Sequence, residues 1–408
     1  MKGKLPLVSW MLYDLANQFF AVNVVSLYFA RWLVLEKNAP EILYSISFGI
    51  SMFFVSVCAP FLGTIADMRG KHRLFLILLT LLSVTFTTLL GFSEYIFLAL
   101  IFFAIANFGC QEAVVFYNAL MVNVSPKNKI GLVSGLGRAF GYTGAILALC
   151  FTKPIIEQKG YQATFIITGI LFLFFALPCM IFVRDRAVNG SLSLASLFKK
   201  NMLFEVVRRL KSTMLDSTRF AGLLDFFKAA FFSICAINVI ILFMSVYVSK
   251  VFGLTDAQAI HLFVFSTLFA LVSSFISGFI SDYIGYKRSM MGVLFLWGVS
   301  FLGGALLEAP FHWLVGALVG ISLGSTWVIF RVLVIRLVPE EKIGEVFGLF
   351  NFVGYFGGIV GSLYWGGILL VLSRFGETGY RLACLSLIVF IAISFVFLLR
   401  IPKTIRRQ

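Results

Sequence analysis

Twelve apolar runs, each long enough to cross a bilayer, take up most of this chain and leave little material for any other architecture. A span needs about 20 predominantly apolar residues, and such runs lie near residues 8–31, 42–66, 74–92, 95–121, 131–152, 162–183, 220–249, 257–281, 289–307, 312–335, 343–372 and 379–399. Of the 408 residues, 60% are hydrophobic and only 12% charged, against about 25% charged in soluble domains. So little charge cannot cover a water-facing surface, and so apolar a chain cannot stay disordered. A soluble enzyme is excluded. The residues between the runs suffice for short loops and one longer linker, with no extramembrane domain expected.

The placement of charge gives an orientation. With the N-terminus inside, 23 of the 33 Lys and Arg fall on the inner loops, the central linker and the termini. The outer loops hold Arg31, Lys37, Lys153, Lys159, Lys250, Arg374 and Arg381, and the runs themselves hold Arg138, Lys228 and Arg331. This positive-inside bias predicts both termini in the cytoplasm and a multi-pass protein of the cell membrane. Contact with anionic lipid accounts for the net charge of +15, so membrane lipids are expected partners and nucleic acid is not. The six cysteines lie inside the runs without a C-x-x-C, which gives no disulfide framework. Asp14, Asn17, Gln18 and Asn23 in the first run suit a retained span better than a cleaved signal peptide.

The chain is also internally duplicated. Gly63-Thr-Ile-Ala-Asp67-Met-Arg69-Gly70-Lys71-His72-Arg73 follows the second run, and Gly278-Phe-Ile-Ser-Asp282-Tyr-Ile-Gly285-Tyr-Lys287-Arg288 follows the eighth. Pro126 to Gly144 aligns without gaps to Pro339 to Gly357, with ten of nineteen positions identical. Each six-span half is therefore a copy of the other in the same orientation, the parallel repeat of major facilitator transporters. The expected fold is an all-α membrane protein of twelve transmembrane helices in two pseudo-symmetric six-helix halves. Residues 1–184 and 220–408 would be the halves, and 185–219 a cytoplasmic linker. In that linker Phe198, Met202, Val206, Leu210 and Met214 align on one helical face against Lys199, Lys200, Arg208, Arg209 and Lys211, which reads as an interfacial amphipathic helix or a charged tether.

The pattern Gly63-x-x-x-Asp67-x-x-Gly70-Lys71-x-Arg73 and its echo resemble the loop 2–3 motif of the major facilitator superfamily. Tyr13-Asp14-Leu15-Ala16-Asn17, Phe116-Tyr117-Asn118-Ala119 and Ser134 to Gly144 resemble the vacuolar amino-acid effluxer-like branch. Arg138 stands where that branch carries an apolar residue, and Phe330-Arg331-Val332 keeps only the arginine of another branch pattern. The resemblance implies alternating access, an amino acid as substrate, and a central cavity lined by spans 1, 4, 7 and 10. It also implies a conformational latch built from Gly63, Asp67, Arg69, Gly70 and Arg73 with Gly278, Asp282, Gly285 and Arg288. The alternative for these loops is a charged anchor at lipid headgroups.

Ionisable groups inside spans are functional candidates because lipid makes them costly. Glu112 is the deepest acid, about 14 Å from the inner end of the fourth run at 1.5 Å per residue. It is either a proton-coupling or substrate group, or a buried acid neutralised by a neighbour such as Arg138. Asp14 and Asp225 occupy matching places in the first and seventh runs, where a helix dipole favours an acid in any case. Lys228, one turn past Asp225, can pair with it at i, i+3 or serve as a gate. Asn107, Gln111 and Asn118 form a polar stripe with Asn17 as a further pathway candidate, and Gly320, Gly324, Trp327 and Arg331 recur on one face of the tenth run. Arg331 could hold a carboxylate or snorkel to headgroups. Glycines on runs 5 and 11 and Ser273, Ser277 and Ser281 on run 8 have the spacing of close helix contacts.

No metal, cofactor or nucleophile pattern occurs: His72, His261 and His312 are dispersed, and G-x-S-x-G, H-E-x-x-H and Walker sequences are missing. The expectation is a monomeric, cofactor-free secondary transporter of a small polar or zwitterionic solute, possibly driven by protons. An exporter or flippase of amphipathic molecules and a non-transporting sensor on the same fold are the alternatives.

Overall fold

The computed structural model describes residues 4–69, 71–124, 130–185, 220, 222–337 and 343–402. The described residues form helices and short connections. Lipid has no water to satisfy free backbone groups, so each crossing must close its hydrogen bonds within itself. Helix α1 is continuous over Leu5–Glu36, with wider π-helical turns at Ala21–Tyr28 and Trp32–Glu36. Then come α2 (Glu41–Arg69), α3 (His72–Leu90) and α4 (Ile96–Val124). The long helix Ile130–Phe182 is broken at Gly160, whose φ of 76° and ψ of −174° leave helical space, and becomes α5 (130–159) and α6 (161–182). The second half holds α7 (Leu223–Phe252), α8 (Asp256–Ile284), α9 (Tyr286–Leu306), α10 (His312–Leu337), α11 (Ile343–Leu372) and α12 (Glu377–Arg400). Eleven helices are long and apolar enough to cross a membrane; the break at Gly160 divides one of them and gives the expected twelve segments.

Two sequence expectations change. The first crossing does not stop at Arg31, because the π-helical turns carry it on to Glu36, and Arg31 is only 2% exposed. Arg31 therefore belongs to the helix and not to an outer loop. The connection expected between runs 5 and 6 is the single non-helical residue Gly160. The linker reading for 185–219 falls, from residue 186 to 219, outside the described residues.

The chain forms two compact units, residues 1–39 with 46–206, and residues 40–45 with 207–408. In the first, α1 packs on the α5–α6 helix and α3 packs on α4 and on α6. In the second, α7 packs on α11 and α12, and α9 packs on α10 and α12. The pairings correspond, as a duplicated sequence requires. Hydroxyls along the way are returned to the helix backbone four residues earlier, as in Thr80 to Leu76 at 2.7 Å and Ser233 to Ala229 at 2.8 Å.

Glycines set the closest approaches. A Cβ on Gly144 of α5 would stand 2.6 Å from the Leu15 carbonyl oxygen of α1, and one on Gly361 of α11 would overlap the Cys235 carbonyl of α7. The glycine faces of α5 and α11 thus pack on α1 and α7. The small-residue face of α8 meets Gly316, Gly320 and Gly324 of α10, where a Cβ would collide with Ser266 or Ala270. Gly320 and Gly324, expected to share a solute-facing stripe with Trp327 and Arg331, are instead packing residues against α8. Ser266 and Ser274 reinforce that contact by donating to the Gly316 and Gly324 carbonyls at 2.8 and 3.2 Å.

Gly361→Ala should lower the melting temperature in detergent, because backbone cannot yield as a side chain can; overpacking costs about 1–3 kcal/mol. Gly292→Ala in α9 meets nothing within 4 Å and should be neutral or stabilising by up to about 1 kcal/mol. Equal shifts for the two variants would contradict this account of the α7–α11 contact.

Candidate functional site

The three segments that carry the branch resemblance come together in the first unit. Trp10 of α1 stacks on Tyr117 of α4 with centroids 4.5 Å apart, and its Nε1 donates to the Tyr117 carbonyl at 2.9 Å. Tyr13 stacks on the same ring at 5.1 Å, and its hydroxyl hydrogen-bonds to Thr80 of α3 at 2.6 Å. A Cβ on Gly137 of α5 would press on the Trp10 ring at 2.8 Å, and one on Gly141 would stand 2.8 Å from Asp14 Oδ2. Gly137 and Gly141 therefore admit the indole and the carboxylate between α1 and α5. Asp14 is buried there.

Farther along α1, Asn17 Oδ1 accepts from Cys110 Sγ of α4 at 2.8 Å. Asn107 turns toward α2, donating through Nδ2 to Ser51 Oγ at 2.7 Å, while its own Oδ1 is buried without a partner. Gln111 is half-buried and Asn118 is exposed. The stripe is thus graded: Asn107 is locked between helices, and Asn118 lies on the surface.

Glu112 is fully buried, and neither of its carboxyl oxygens has a hydrogen-bond partner among the described residues. Arg138, the neighbour expected to neutralise it, has an exposed side chain and is not its partner. A carboxylate in such surroundings is expensive to keep charged. Burial without a partner is the condition under which an acid holds a proton in one state and gives it up in another.

In the second unit, a three-ring cluster stands at the positions equivalent to the first unit's aromatic site. Phe226 of α7, Phe330 of α10 and Phe350 of α11 lie 5.7–5.8 Å from one another, centroid to centroid. They align with Tyr13, Tyr117 and Gly137, so Phe350 fills in one unit the volume that Trp10 fills in the other. Asp225 is half-buried at the start of α7. Lys228 does not pair with it: its Nζ stands over the Phe397 ring of α12 at 5.3 Å. Trp327 and Arg331 are half-buried on α10.

The motif loops are described only in part. Gly70 and the side chains of Asp67, Arg69 and Asp282 lie outside the described residues, as do those of the segments 125–129 and 338–342 that open the second repeat. Around Gly63 there is open space within 4 Å, so no close contact requires its lack of a Cβ. The basic residues after the motif dock on the last helix of their own unit. Arg73 Nε donates to the Met180 carbonyl at 2.6 Å, and Lys287 Nζ donates to the Leu399 carbonyl at 2.8 Å and to that of Ile401. Cations at helix C-termini meet the unsatisfied carbonyls there. Asp185 completes the first of these joints, accepting from the Arg73 backbone N–H at 3.1 and 3.2 Å and facing His72 at 3.8 Å.

Sequence reasoning missed Trp10, Cys110 and Asp185, and also the pair in which Tyr380 of α12 donates from its hydroxyl to buried Glu41. The placement of Asp185 beyond the α6 end is the one signal that pointed to a cap. Among the described residues no group of three His, Cys, Asp or Glu could hold a metal.

A helical bundle duplicated in parallel, with an unpartnered acid inside one copy, defines a membrane carrier. The chain belongs to the Major Facilitator Superfamily, whose family model matches residues 15–362 and again 226–408; it is a multi-pass integral membrane protein and a secondary transporter of small molecules. Among individual proteins, it is 27% identical over 417 residues to an uncharacterized MFS-type transporter, YxiO, of Bacillus subtilis, covering 97% of this chain and 94% of that one. It is 24% identical over 366 residues to the multidrug resistance protein MdtG of Citrobacter koseri, covering 87% and 86%. The solved nucleoside transporter NupG superposes with a TM-score of 0.73 at 14% identity, covering 98% of each chain, a likeness of fold alone.

Asp185→Ala should cost about 0.5–2 kcal/mol of stability, the range for losing a helix N-terminal cap, while Asp185→Asn should retain most of it. Thermal unfolding of the two variants beside the wild type measures the difference; an unchanged Asp185→Ala would remove the cap from the account.

Proposed function

We propose that this chain moves a small polar or zwitterionic solute, an amino acid first, by alternating access coupled to protons. Glu112 is the observation that carries the reading. A fully buried carboxyl without a hydrogen-bond partner has no structural task that an apolar side chain would not perform better, since an unpaired buried charge destabilises a helix bundle. Proton uptake would remove that penalty in one conformation, and release to water would restore the charge in another. Asn17, Asn107, Gln111 and Asp14 on the neighbouring turns of α1 and α4 supply donors and acceptors for the amino and carboxyl groups of the solute. Trp327 and Arg331 of α10 are the second unit's contribution, the guanidinium suiting a carboxylate. The resemblance of residues 13–17, 116–119 and 134–144 to the effluxer-like branch favours an amino acid among polar solutes. The positive-inside bias favours a cytoplasmic membrane location with both termini inside, and the halves 1–184 and 220–408 would rock as monomer-internal bodies. The basic loops and Asp67 remain the proposed latch.

A second reading has one observation in its favour: MdtG, the multidrug resistance protein, is among the relatives. It makes the chain an exporter of amphipathic molecules, with the 48 phenylalanines serving substrate contacts as well as lipid.

Counterflow in proteoliposomes loaded with pooled amino acids, under an imposed pH gradient, tests both. Gradient-driven exchange in the wild type and its loss in Glu112→Gln, which keeps size but cannot ionise, is the expected result. Exchange that persists unchanged in Glu112→Gln would discard the acid as the coupling site and keep the carrier. Folded protein that moves no amino acid but expels lipophilic cations would replace the first reading with the second.

A further inference from the structure

Where α12 ends, two cations share one aromatic ring. Lys228 Nζ of α7 and the Arg400 guanidinium each lie 5.3 Å from the centroid of Phe397, and both side chains are exposed. The two charges are therefore within about 11 Å of each other, near one Debye length in physiological salt. Lys287 adds a third cation, with its Nζ on the carbonyls of Leu399 and Ile401, the residues on either side of Arg400. Lys287 has its acceptors in the helix end. Lys228 and Arg400 have only the face of a ring, which is a weak counterpart for a full charge.

The acid that should have met Lys228 does not. Asp225 lies one turn earlier on α7, half-buried, and among the described residues it makes no ion pair with Lys228. It is also the only carboxylate with a described side chain within several residues of any of these cations. Like charges gathered beside one ring, with the available acid turned away, form an arrangement that an added anion would complete. The surroundings say which kind. Val389, Val396 and Leu399 of α12 are 58%, 49% and 49% exposed, an apolar track leading away from the ring along the helix. A phosphate with acyl chains satisfies both features, and a soluble phosphate satisfies only the first.

We propose that Lys228, Arg400 and Phe397 form a binding site for the phosphate of an anionic phospholipid, with its acyl chains lying along α12. Basic pockets between transmembrane helices bind such headgroups, and each Lys or Arg near an anionic surface contributes about 1 kcal/mol. The site does not depend on the transport reading, since none of its residues is assigned there to the solute or the proton.

The test uses the delipidated full-length protein in neutral detergent, titrated with phosphatidylglycerol, phosphatidylcholine or soluble glycerophosphoglycerol, with bound lipid counted by native mass spectrometry. The wild type should retain phosphatidylglycerol over phosphatidylcholine. The double variant Lys228→Gln/Arg400→Gln should weaken that retention by roughly thirtyfold. The charge-preserving Lys228→Arg/Arg400→Lys should keep it, which separates loss of the site from loss of fold. Arg374→Gln, which removes a cation that stands alone over Phe375 at 4.8 Å, should leave it unchanged. Undiminished retention in the Gln double variant, or equal retention of phosphatidylcholine, overturns the site. Displacement of the lipid by glycerophosphoglycerol at equal concentration overturns the lipid and leaves a soluble phosphate as occupant.

Discussion

Everything in this structure follows from the absence of water in the layer it occupies. Lipid offers backbone groups no alternative partner, so the chain must be helical wherever it crosses. With the hydrophobic effect missing between helices, contact must come from close packing. Close packing needs positions without side chains, and the glycines of α5, α10 and α11 are where carbonyls of α1, α8 and α7 come nearest. Hydroxyls that would otherwise be stranded turn back on their own helices. The same constraint makes Glu112 conspicuous, because it is the one acid whose two oxygens are both left buried and unsatisfied among the described residues.

Duplication supplied two copies of one scaffold, and the two have been filled differently. At equivalent positions the first unit has Tyr13, Tyr117 and Gly137, with Trp10 occupying the space the glycine leaves; the second has Phe226, Phe330 and Phe350. The first cluster carries hydroxyls and an indole N–H and lies beside Asp14 and Asn17. The second is hydrocarbon throughout. Polar chemistry has thus been concentrated in the first unit, and the second presents its charges at helix ends and on α10. Such a division is sensible for a carrier, since two equally polar halves would hold water between them in every state.

The number of crossings, the duplication and the positions of the buried acids were legible in the sequence because each is a local property: run length, identity at a fixed offset, charge inside an apolar run. Partnership was not. A glycine every fourth residue announces a close contact without naming the neighbour, so the faces of α8 and α10 were read separately when they meet each other. Lys228 illustrates the same limit, since its i, i+3 neighbour Asp225 was the local choice and its long side chain reached a different helix. Trp10 carried no signal, as a tryptophan near a membrane interface is ordinary. Asp185 was hidden because its partner, the start of α3, is more than a hundred residues away.

Arg31 was misplaced for a reason specific to α1. Face assignments rest on 3.6 residues per turn, and the stretches at Ala21–Tyr28 and Trp32–Glu36 are wound more widely. Beyond residue 21, then, helical-wheel counting from Asp14 and Asn17 points to the wrong side of the helix. A wider turn is also a place where the number of residues is not fixed by the span: removing one there would tighten the helix and turn all that follows, Phe29, Arg31 and Trp32 included, by about 100° about its axis. The outer third of α1 is in this sense a separately indexed segment, whose register against α4 and α6 can drift over generations by a single codon without disturbing the inner end, where Trp10 and Tyr13 stay fixed.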